Sequence, residues 1–127
     1  MWSPYYKYYQ IRKDENRSVK LDTKYVKSII ENIGHFENDG TLIYRSNKTS
    51  PWMTITLIQS NDGNYSIGKR TNYKNINLIE VITSTRPETN ESWYLEILKR
   101  IGNELKWEIT IENEDGIENV LINSKDI

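Results

Sequence analysis

The strongest periodicities in the chain are two helical stripes set among alternating segments. Val26, Ile29, Ile30 and Ile33 fall at i, i+3, i+4 and i+7, the spacing that lines one face of a helix. Asp22 stands where a helix cap belongs, Leu21 and Val26 have the spacing of a hydrophobic staple, and Gly34 supplies the stop. A second helix is predicted over Glu88 to Leu105. Its buried stripe is Tyr94, Ile97, Leu98, Ile101 and Leu105, and Glu91, Glu96, Arg100 and Glu104 belong to its wet face. Thr85 and Glu88 have capping-box spacing, with Asn90 a competing cap. Gly102 weakens that helix by about 1 kcal/mol relative to Ala, which points to a packing reason for it.

Between and around these stripes the period shortens to two. Tyr5 to Arg12 reads as a strand with Tyr5, Tyr9 and Ile11 on one face and Tyr6, Tyr8, Gln10 and Arg12 on the other. Thr41 to Arg45, Trp52 to Gln59 and Asn64 to Arg70 follow the turn signals Asn38-Asp39-Gly40 and Asn61-Asp62-Gly63 and read as an antiparallel meander. In the second of them Trp52, Thr54, Thr56 and Ile58 oppose Met53, Ile55 and Leu57. Asn77 to Ser84 is the most apolar strand and is placed at the centre, with Leu78, Ile79, Val81 and Ile82 filling both faces. Trp107 to Glu112 carries Trp107, Ile109 and Ile111 on one face, and Glu118 to Asn123 is a shorter terminal strand. The order β-α-β-β-β-β-α-β, extended where that last segment joins, gives an α+β fold: a single mostly antiparallel sheet with two helices packed on one face. At 127 residues, with no internal repeat, residues 1–127 form a single domain.

Composition narrows the function. With 17 Lys and Arg against 18 Asp and Glu the formal charge is −1, which gives no general attraction to nucleic acid or to an anionic membrane. There is no cysteine, hence no disulfide, thiol nucleophile or thiolate metal site, and His35 is the sole histidine. No phosphate-cradling glycine loop and no G-x-S-x-G elbow occurs. Glu80 interrupts the apolar strand and is the best single candidate for an acid-base group, although an open sheet face explains it more simply. The reading is a binding protein, not an enzyme, with no cofactor. The N-terminus lacks the basic and apolar regions of a signal peptide, and no apolar run approaches the roughly 20 residues of a bilayer span, so a cytoplasmic protein without a membrane partner is expected.

Two surface features suggest where a partner binds. Trp2, Tyr6 and Tyr8 are left over when Tyr5 and Tyr9 are assigned to the core. Charge is also segregated: residues 88–127 hold ten acidic against four basic side chains, whereas residues 41–87 hold six basic against two acidic. An acidic lobe of this kind steers association with a basic partner.

Three stretches, "WMTITLIQSNDGNYSIG", "INLIEVITST" and "WYLEILKRIGNELKWEI", run in an order that resembles small bacterial immunity proteins accompanying polymorphic or contact-dependent growth-inhibition toxins. The resemblance spans Trp52 to Ile111 and rests on pattern. It implies a cytoplasmic protein without catalytic activity that binds one cognate toxin C-terminal domain and blocks its active site or its access to a target. The partner-binding residues expected on that basis and on charge are Glu108, Glu112, Glu114, Asp115 and Glu118, with Trp2, Tyr6 and Tyr8 as aromatic anchors. The competing expectation is a small single-stranded nucleic-acid-binding module that stacks bases on the aromatic strand.

Overall fold

The computed structural model describes residues 4–38, 41–60, 74–112 and 118–122. Among the described residues nine strands and two helices follow one another as β1 (Tyr6–Arg12), β2 (Leu21–Asp22), α1 (Thr23–Ile33), β3 (Phe36–Asn38), β4 (Ile43–Ser46), β5 (Met53–Ile58), β6 (Asn75–Ile76), β7 (Leu78–Ser84), α2 (Glu91–Leu105), β8 (Glu108–Glu112) and β9 (Glu118–Ile122), with a short 3-10 turn, Glu88–Asn90, leading into α2. The architecture is α+β. Seven strands form one antiparallel sheet in the order β3-β4-β5-β7-β1-β8-β9, and β2 pairs with β6 in a separate two-stranded ribbon.

The apolar run of β7 takes the middle of this sheet, flanked by β5 and β1. Its register aligns Ile79 with Leu57 and Ile11, and Val81 with Ile55 and Tyr9, so one face becomes a continuous apolar floor. Val26, Ile29 and Ile30 of α1, together with Ile97, Leu98 and Ile101 of α2, join the same buried cluster. Burial of this kind is the main favourable term in folding such a chain.

Helix α1 begins as expected, with the Asp22 side chain accepting from the Lys24 amide at 3.1 Å, and it stops at Gly34 with φ 78°. Helix α2 differs at its start. Neither predicted cap operates: Asn90 makes no side-chain cap bond, and the Thr85 hydroxyl donates to the Pro4 carbonyl at 2.9 Å instead. Its end is a left-handed Lys106 whose successor, Trp107, bonds back to the Gly102 carbonyl at 3.1 Å. The packing reason for Gly102 is visible there, because a Cβ would lie 3.1 Å from Ile109 Cδ1 and 3.2 Å from the Trp107 carbonyl.

Tyr5 corrects the alternation. Alternation places it in the core beside Tyr9, yet it is 66% exposed and lies just before β1. The apolar floor ends at Tyr9, because the next residue on that face is Lys7, held by Glu91 at 2.9 Å, and Tyr5 falls beyond this polar rim. The short strands β2, β3 and β6 were not anticipated, since two or three residues show no period. The expected strand Asn64 to Arg70 lies outside the described residues.

Candidate functional site

The face of the sheet turned away from the helices carries the groups that alternation assigned to it. Register builds this face in rows across the strands. Tyr6 pairs with Ser84. Arg45, Thr54, Ile82 and Tyr8 form the next row, and Ile43, Thr56, Glu80, Gln10, Thr110 and Val120 the one after. Ile82 is only half-buried, so the expected apolar filling on both faces of β7 holds for Leu78, Ile79 and Val81 and fails for Ile82.

At one end of this face two rings meet. Met53 pairs with Thr83, so Trp52 comes beside Ser84 on the side opposite Tyr6. Alternate strands stand roughly 9.6 Å apart. Because the side chain between them is only a serine, the Tyr6 and Trp52 rings lean over it to a centroid separation of 5.4 Å at 50°. Both remain open to solvent, Tyr6 at 41% and Trp52 at 47%. The Trp52 backbone is fixed from the other side of the sheet, where the buried Tyr94 hydroxyl of α2 donates to its carbonyl at 2.7 Å.

The opposite end of the face is closed by polar packing. Arg12 is 5% exposed; its Nε faces Glu108 at 3.4 Å and its Nη1 donates to the Gln10 side-chain Oε1 at 2.9 Å. Arg17 reaches the same Gln10 oxygen at 3.4 Å, and Asn77 ties the segment down by donating to the Arg17 carbonyl at 3.3 Å.

The sequence-derived residues therefore separate. Tyr6 and Tyr8 share the open face, with Tyr8 half-buried. Glu108 is on β8, but its side chain is only 12% exposed and it is engaged by Arg12. Glu112 is half-buried on the open face, and the β8–β9 register sets it opposite Glu118. Trp2, Glu114 and Asp115 lie outside the described residues. Glu80 is half-buried on the open face, as its simpler explanation required, and both it and Glu112 interact with neighbouring groups. The residue that sequence reasoning left out is Trp52. Its signal was present, since it alternates with Thr54 and Thr56 and not with the apolar Met53, Ile55 and Leu57.

His35 sits at φ 70° in the turn after α1 with its ring 5.6 Å from that of Trp93 and Nδ1 3.3 Å from the Ser50 hydroxyl. Among the described residues no three His, Cys, Asp or Glu side chains cluster as metal ligands, and no helix is long and apolar enough to cross a membrane. No protein-family model, curated protein or solved structure matches the chain.

Proposed function

We propose that this chain is an immunity protein that binds the C-terminal domain of a cognate bacterial toxin in the cytoplasm and neutralises it by covering its active site or its path to a target. The single observation that carries the reading is the Tyr6–Trp52 pair, two large rings exposed together on an open sheet face, with the Trp52 backbone held from behind by the Tyr94 hydroxyl. Exposed aromatics held rigidly in this way are what protein interfaces use as anchors. Glu112 lies on the same side of the sheet, with Glu118 opposite it in register, and the acidic bias of residues 88–127 adds a negative field to that part of the chain. Glu108 contributes less to such a field, because Arg12 compensates it internally.

Aromatics on an open sheet also stack single-stranded nucleic acid, the second reading. The formal net charge of −1 weighs against it, since it gives a phosphate backbone no general attraction.

The test is binding of the full chain to the C-terminal domain of a large secreted protein encoded directly upstream. A stable complex is expected, lost on Trp52→Ala, with the charge reversals Glu112→Lys, Glu114→Lys and Asp115→Lys slowing association and leaving dissociation nearly unchanged. Tryptophan quenching by a short oligonucleotide at low salt, with no complex formed with the toxin domain, would replace this reading with the second one.

A further inference from the structure

The two edges of the seven-stranded sheet are finished differently. At one end β3 is only three residues long and has the exposed Glu37 at its middle, the shortness and charge by which sheets keep an edge from pairing. At the other end β9 runs Glu118–Ile122, with neither proline nor charge after Glu118. Val120 is 50% exposed and Leu121 46%, and among the described residues no strand pairs with the outer side of β9. Glu118, Asn119 and Val120 keep regular pairing with Glu112, Ile111 and Thr110, so they present an ordered line of backbone groups outward. Leu121, the extra residue where the register shifts, adds exposed apolar surface directly after them.

Charge and position narrow what such an edge accepts. From Trp107 to Ser124 the chain has five acidic residues and no basic one. Arg12 compensates Glu108, and the others leave this part of the chain with excess negative charge. A second copy joined edge to edge would bring two such stretches together, and it would leave both ring pairs uncovered. A strand carrying Lys or Arg meets the opposite condition. The edge is also within reach of the ring pair. Gln10, Thr110 and Val120 sit side by side across β1, β8 and β9, and Tyr6 is further along β1 on the same face. Strand geometry puts Val120 roughly 17 Å from Tyr6. A standard interface takes about 800 Å² per partner, a patch about 30 Å across, so one docked protein spans both. The edge by itself offers much less area than that.

We propose that β9 accepts an extended, basic strand from the protein that docks over the Tyr6–Trp52 pair, lengthening the sheet by one strand. Backbone groups of Glu118 to Val120 bond the incoming strand, its apolar side chains cover Val120 and Leu121, and its Lys or Arg side chains face the acidic stretch. Main-chain bonds give such pairing its affinity, and the side chains give it selectivity. The inference rests on the protein-binding reading above and names the structure and charge that the partner presents.

The experiment has two arms, both on the full chain. In the first, amide hydrogen exchange is compared between the free chain and its complex with the toxin C-terminal domain. Protection of the β9 amides is expected. Val120→Lys should speed dissociation of the complex roughly tenfold and leave the urea midpoint close to that of the parent, since Val120 is half exposed. A complex that needs Trp52 but leaves the β9 amides exchanging as in the free chain overturns the added strand and leaves the functional reading standing. In the second arm no toxin is present. NMR follows the Asn119, Val120 and Leu121 amides during titration with the strand-forming peptide acetyl-TKVTVKVT-amide, or with the same peptide carrying Glu in place of Lys. Only the basic peptide is expected to shift them. That result in a chain unable to bind the toxin domain overturns the functional reading and leaves the edge site standing. Equal shifts by both peptides, or shifts by neither, overturn the proposal. Shifts that grow with protein concentration in the absence of peptide mark a second copy as the occupant and overturn it too.

Discussion

The rings of Tyr6 and Trp52 lie 5.4 Å apart although their strands are separated by β7. The contact exists because Ser84 is small, and both rings stay open to solvent. An aromatic pair of this kind contributes about 1 kcal/mol to the free protein. Trp52→Ala should therefore lower stability by about that amount in urea unfolding. It should weaken the toxin complex much more, by about 2 kcal/mol or roughly 30-fold in Kd by calorimetry. Equal losses in the two measurements would make Trp52 a structural residue only.

The Arg12–Glu108 pair should behave in the opposite way. Both side chains are nearly closed off, at 6% and 12% exposure. Removing one member leaves the other charge buried, which costs about 3–5 kcal/mol when no other partner remains. Gln10 still accepts from Arg12 at 2.9 Å, so Glu108→Ala is expected to cost about 2–3 kcal/mol in chemical denaturation. The double variant Arg12→Met with Glu108→Leu should recover most of that loss. A Glu108→Ala protein as stable as the parent would show that the 3.4 Å contact carries no weight.

These two sites mark what the sequence could and could not disclose. The stripes of α1 and α2 were legible because residues three and four apart meet within one helix, whatever else the chain does. The central place of β7 was legible because few other segments are as apolar. The ring pair was not, since it depends on β5 and β1 flanking β7, a matter of strand order that alternation does not contain. Alternation places Arg12 correctly on the face opposite Tyr9, but its burial goes with partners on two strands, Glu108 across the β1–β8 ladder and Gln10 beside it, which alternation does not contain. Tyr5 failed for a local reason: alternation continues past the point where Lys7 and Glu91 end the apolar floor.

Gly102 offers a test in which two effects oppose each other. Replacing Gly by Ala inside a helix usually gains about 1 kcal/mol. Here the added Cβ would be 3.1 Å from Ile109 Cδ1 and 3.2 Å from the Trp107 carbonyl oxygen. The isoleucine can shift, but Trp107 is tied to the Gly102 carbonyl at 3.1 Å by the bond that closes the helix. Overpacking costs about 1–3 kcal/mol, so Gly102→Ala should be net destabilising by about 1 kcal/mol. A raised urea midpoint would mean that the α2–β8 junction yields more easily than its hydrogen bond suggests.

Stability should also fall in alkali, for a reason that can be assigned to particular tyrosines. Burial, aided by Glu91, pushes the Tyr9 phenol from its ordinary value of 10 up to about 12. Tyr44 is raised further by burial and by donating to Glu31 Oε2 at 2.8 Å, and burial raises Tyr94 as well. The folded chain thus keeps these protons at a pH where the unfolded chain has released them. Their contribution is fully present below about pH 10 and is lost as pH rises through the folded values. For Tyr9 this should reduce the unfolding free energy by about 1.4 kcal/mol per pH unit between about pH 10 and 12. Guanidinium midpoints measured from pH 8 to 11 should be level at first and then decline. Tyr9→Phe removes one titrating group, so its decline should be shallower than that of the parent; parallel curves would exclude Tyr9 from the effect.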